Sequence, residues 1–72
     1  MAKLRVLSGR EVCRILEAHG FAQLRKRGSH IVMQRRSDQI TITVPVPDHL
    51  EIKIGTLLSI IRQSRISRTE FE

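Results

Sequence analysis

The sequence predicts a small α+β domain of order α-β-β-β-α, a three-stranded antiparallel sheet with two helices on one face. Three observations carry this. Two stretches repeat apolar residues at helical spacing, near each end of the chain. Between them, "FAQLRKR", "HIVMQR" and "QITITV" read as extended segments. The spacers between those segments are short, which makes an antiparallel meander the economical topology.

The first helix is expected over residues 9–19, within "LSGREVCRILEAHGF". Ser8 and Glu11 form an S-x-x-E capping box, each side chain satisfying a free backbone N–H at the helix start. Leu7 is placed to staple onto Val12. Val12, Ile15 and Leu16 make one apolar face. Gly20 stands where a left-handed C-terminal cap belongs. Strand one alternates weakly, with Ala22 and Leu24 on one face and Gln23 and Arg25 on the other. Gly28-Ser29 divides it from the strand that begins at His30. The third strand is the clearest, with Ile40, Ile42 and Val44 inward and Thr41 and Thr43 outward. "PVPDH" reads as an extended linker, because two prolines fix φ and remove donors. "GTLLSIIRQS" is a second helix with Leu57, Ile60 and Ile61 on one side. Ser67 and Glu70 repeat the S-x-x-E pattern, so a last helical turn is expected. The helices' apolar stripes need one sheet face between them, and the other face is left for solvent or a partner.

The chain has 72 residues and one cysteine, Cys13. That length fits a single domain, residues 1–72, with a thin stability margin. A lone cysteine excludes an internal disulfide and suits a reducing compartment. Apolar runs are far too short for a membrane span, so a cytoplasmic protein is expected. No His/Cys spacing of the C-x-x-C or H-x-x-x-H kind is present, so no metal or other cofactor is expected. Cys13 reads as core.

The net charge is +6, unevenly placed. Residues 1–36 hold nine Lys/Arg against two acids, and residues 37–72 hold four against five. The densest part is "RKRGSHIVMQRR", residues 25–36. A solvated surface accounts for such charge in many small proteins. Clustering favours a polyanion footprint, with nucleic acid ahead of membrane because no long basic amphipathic helix is evident. Two phenylalanines and no Trp or Tyr make a base-stacking platform a poor expectation. Recognition through backbone charge and shape follows.

His30 lies inside that charge. An imidazole changes protonation near neutral pH and serves as base or acid there. RNA carries a 2′-hydroxyl beside each phosphate, and a base that takes its proton lets the oxygen attack phosphorus. Arg25, Lys26, Arg27, Arg35 and Arg36 are candidates to hold the phosphate and offset its developing charge. Gly28 allows close backbone approach, and Ser29 offers a hydroxyl. On these grounds alone the residues leave three readings open: catalysis by His30, a phosphate contact without catalysis in an RNA-binding module, or a basic face that serves a protein partner. His19 reads as structural, at a helix C-terminus. His49 is either a surface residue or a second phosphate contact.

"LSGREVCRILEAHGF", "RKRGSHIVM", "TVPVPDHLEIKIGTLLSIIRQS" and "ISRTEFE" in that order resemble the HicA (YcfA-like) family of toxins, over nearly the whole chain. The resemblance implies a double-stranded-RNA-binding-domain-like fold and an endoribonuclease that cleaves mRNA. It implies that His30, in the G-S-H motif with Gly28 and Ser29, is the essential residue. It also implies a HicB-type antitoxin partner in a heteromeric complex. Ile31 stands where many relatives carry a second histidine, Pro47 where many carry another, and Arg65 where a glycine is common after the second helix.

Overall fold

The computed structural model describes residues 3–72. Helix α1 spans Gly9–Ala18, strand β1 Ala22–Arg27, β2 His30–Arg36, β3 Thr41–Pro47 and helix α2 Ile54–Ser64. A 3-10 turn, Arg68–Phe71, follows. The sheet is an antiparallel meander in the order β1-β2-β3. Both helices pack on one face of it, as the sequence predicts.

Helix α1 begins with the full capping box. Ser8 N–H donates to Glu11 at 2.9 Å, and Glu11 N–H donates to the Ser8 hydroxyl at 3.1 Å. Such caps contribute about 1 kcal/mol. The helix ends one residue earlier than expected, with His19 as cap and Gly20 at φ +90° turning the chain into β1. Val12 and Leu16 are fully buried, and Cys13 sits in the core beside them. Facing them are Ile31 and Met33 of β2 and Ile42, Val44 and Val46 of β3, with Leu57, Ile60 and Ile61 from α2. Each large aliphatic side chain so buried contributes about 1.5–3 kcal/mol against solvent exposure. Phe71 is also fully buried, and the Arg5 amide donates to its carbonyl at 3.0 Å, tying the two ends of the chain together.

Three further details depart from the sequence reading. Ile40 precedes β3 and is 36% exposed, and Val46 takes the third inward position instead. The strand then runs through Pro45 and Pro47, which the sequence suggested were linker. Both are tolerated because β3 is an edge strand, and at alternate positions both missing N–H groups face the unpaired side. In β1 the alternation breaks: Gln23 pairs with Met33 and Arg25 with Val32, so Leu24 forms a bulge. A bulge puts two residues opposite one and shifts the phase of everything beyond it. Gln23 therefore shares the helix-side face with Met33, while Arg25 lies on the open face.

Candidate nucleic-acid interface

Strand register sorts the basic cluster into two groups. In β2, Ile31 and Met33 face the helices, so His30, Val32, Gln34 and Arg36 face the open side. Across from them on that side stand Arg27 opposite His30 and Arg25 opposite Val32. Pro47 and Pro45 complete the rows on β3. Val32 is buried yet stands outside the helix-side core; its neighbours Arg25 and Pro45 shield it. Arg25, Arg27 and Arg36 form no ion pair among the described residues. Arg36 is at the far end of β2, roughly 20 Å along the strand from His30.

Lys26 and Arg35 belong to the other group. Lys26 pairs with Ile31 and turns toward α1, where Nζ donates to Asp48 Oδ2 at 2.7 Å. Arg35 pairs with Ile42 and lies with its guanidinium 5.8 Å from the centre of the Phe21 ring. The sequence put these five cations in one constellation; the sheet brings three of them to the face of His30 and turns two away.

His30 opens β2 directly after a two-residue hairpin loop. Gly28, the first loop residue, has φ +57°, which suits glycine and is the pattern of a type II′ turn. An added Cβ at Gly28 would meet nothing within 4 Å, so the turn needs glycine for its backbone angle, and the space beside it is open. Ser29 and His30 are both exposed. The Ser29 carbonyl accepts from the Asp48 amide at 2.6 Å, which ties the turn to the segment after β3.

Asp48 is the residue that sequence reasoning missed. Its carboxylate takes Lys26 on one oxygen and Arg10 of α1 on the other, at 3.4 Å. Hydrogen bonds from Lys26 and then Arg10 hold its carboxyl below the usual carboxylate range. The only hint in the sequence is an isolated acid after two prolines. Gly9, at the start of α1, lies so close that an added Cβ would collide with the Pro47 carbonyl oxygen. Its N–H donates to the His49 carbonyl at 2.9 Å.

The other titratable groups are placed differently. His49 is exposed in the loop after β3, beside Glu51 and Lys53. The His19 ring donates from Nδ1 to the Ile15 carbonyl at 2.9 Å, and its Nε2 lies 3.5 Å from Glu70. That is a structural arrangement at the end of α1. Ile31 is 6% exposed within the core, so position 31 points away from His30. Burial raises the Cys13 thiol to about 11. Among the described residues no three His, Cys, Asp or Glu side chains gather as a metal site, and no helix is long and apolar enough to cross a membrane.

An imidazole on an open sheet face, with guanidinium groups beside it and no partner for its ring among the described residues, can exchange a proton with a bound substrate. A family model described as HicA toxin of bacterial toxin-antitoxin matches residues 9–66. Neither a curated protein nor a solved structure gives a significant match.

Proposed function

The chain belongs to the HicA toxin family of bacterial toxin–antitoxin systems, and we propose that it is an endoribonuclease that cuts mRNA with His30 as general base and acid. A toxin of this class works against an antitoxin partner; the partner proposed here is of the HicB type and covers the face that carries His30. The toxin domain comprises residues 1–72 and acts in the cytoplasm.

His30 takes the proton from a ribose 2′-hydroxyl. The 2′-oxygen then forms a bond to the adjacent phosphorus, and the bond from phosphorus to the 5′-oxygen breaks. The departing 5′-oxygen takes a proton from the imidazolium, which restores the neutral ring. The products are a 2′,3′-cyclic phosphate and a 5′-hydroxyl. Arg25 and Arg27 are beside His30 and offset charge developing on the phosphoryl oxygens. Arg36 holds the strand further along the same face. Gly28 and Ser29 let the phosphate approach the turn closely. Lys26 and Arg35, turned to the helix side, take no direct part. The steps need no metal.

The single observation that carries this reading is the position of His30: exposed, opening β2 after the Gly28-Ser29 turn, and cross-strand from Arg27. His30→Ala should abolish cleavage of a labelled RNA and growth arrest on induction while the melting temperature stays within a few degrees of wild type, since an exposed strand position tolerates such a change. A 2′-deoxy substitution at the cut site should block the reaction with wild-type protein. Cleavage by His30→Ala at the wild-type rate would refute the proposal. Binding of RNA without cleavage by wild-type protein would reduce it to a binding module.

A further inference from the structure

We infer that Asp48 is a positioning residue for His30: its carboxylate fastens the segment after β3 to both α1 and β1, and its amide fastens that segment to the turn from which His30 emerges. This rests on the reading of His30 given above.

Four hydrogen bonds and one close backbone approach converge on residues 47–49. The Asp48 amide donates to the Ser29 carbonyl at 2.6 Å. The carboxylate accepts from Lys26 at 2.7 Å and from Arg10 at 3.4 Å. Gly9 donates to the His49 carbonyl, with its Cα packed against the Pro47 carbonyl. Pro47 is itself the cross-strand neighbour of His30 on β3, and Arg27 is its neighbour on β1. The backbone of His30 is thus bounded by two strands and one turn, and Asp48 joins a strand, a turn and a helix around it. The Asp48 side chain is only 18% exposed in this arrangement, whereas Arg10 is 74% exposed. The Lys26 link is the shorter and the better shielded. It also takes the positive charge of Lys26 to the helix side, away from the open face.

Removing the carboxylate while keeping its shape separates orientation from binding. In Asp48→Asn the amide link to Ser29 is still available, but the charge that holds Lys26 and Arg10 is gone. A catalytic group displaced by about 1 Å loses up to a hundredfold in rate. RNA affinity should hold or rise, because the open-face arginines are untouched and the loss of one carboxylate leaves the protein more positive overall.

The test measures kcat and KM for RNA cleavage together with hydrogen exchange at the Asp48 amide, in wild type, Asp48→Asn and Asp48→Glu. For Asp48→Asn we expect kcat lower by roughly ten- to a hundredfold, KM unchanged or lower, and exchange at residue 48 at least several-fold faster. Asp48→Glu, which restores the charge, should recover part of both. A kcat within twofold of wild type would overturn the inference, as would unchanged exchange. Should wild-type protein not cut RNA at all, the reading of His30 falls and takes the catalytic consequence with it. The exchange measurement would still decide whether the carboxylate holds the turn.

Discussion

The division of the basic cluster by the sheet makes a quantitative forecast. If RNA lies on the open face, Arg25, Arg27 and Arg36 each neutralise a phosphate, while Lys26 and Arg35 do not. Each phosphate contact to a single strand contributes about 0.7 to the slope of log affinity against log salt. Changing all three open-face arginines to glutamine should flatten that slope by about 2. Over a fourfold rise in salt, the parent protein should therefore lose about 20-fold more affinity than the triple variant. Lys26→Gln with Arg35→Gln should leave the slope within a few tenths of the parent. Fluorescence anisotropy with a labelled RNA reads this directly. A His30→Ala background in every variant keeps the RNA whole. An equal loss of slope from the Lys26 and Arg35 pair would show that RNA does not follow the open face, and the placement argued from strand register would be wrong.

Other changes test the supporting frame. Gly9→Ala forces a methyl group onto the Pro47 carbonyl and should destabilise the fold by about 1–3 kcal/mol in urea denaturation. Arg65 closes α2 at φ +62°; glycine there removes the left-handed penalty and should raise stability by about 0.5–1 kcal/mol in the same experiment. Asp48 and Glu11 both have carboxyls held below their ordinary values, Asp48 by Lys26 and Arg10, Glu11 by Ser8. Their contribution is complete above the ordinary carboxylate range and is lost as pH falls through the depressed folded values. Melting temperature should therefore fall more steeply with acid in wild type than in Asp48→Asn with Glu11→Gln. Cys13, buried and shifted to about 11, should resist a thiol reagent at neutral pH until the protein unfolds.

Local signals made most of the fold readable. The capping box at Ser8, the stripe of Val12 and Leu16, the glycine after α1 and the β-branched run of β3 are each contained within a few residues. The hairpin turn at Gly28-Ser29 was legible for the same reason. The bulge at Leu24 was not, because it depends on which β2 residue each β1 residue meets. The sequence therefore assigned Gln23 and Arg25 to one face, and the sheet separates them. Pro45 and Pro47 read as linker because whether a strand lies at an edge depends on the order of all three strands. His30 stood out from its charged setting. Asp48 did not, since its partners Arg10 and Lys26 are far away in sequence and only the fold brings them together.

The prolines of β3 have a consequence for the protein on its own. A sheet border that lacks two of its amide hydrogens, at Pro45 and Pro47, is a poorer template for another strand, so growth on that side is hindered. The opposite border is lined with like charges, which repel a second copy. Both borders of the sheet thus disfavour edge-to-edge pairing between two copies of the chain.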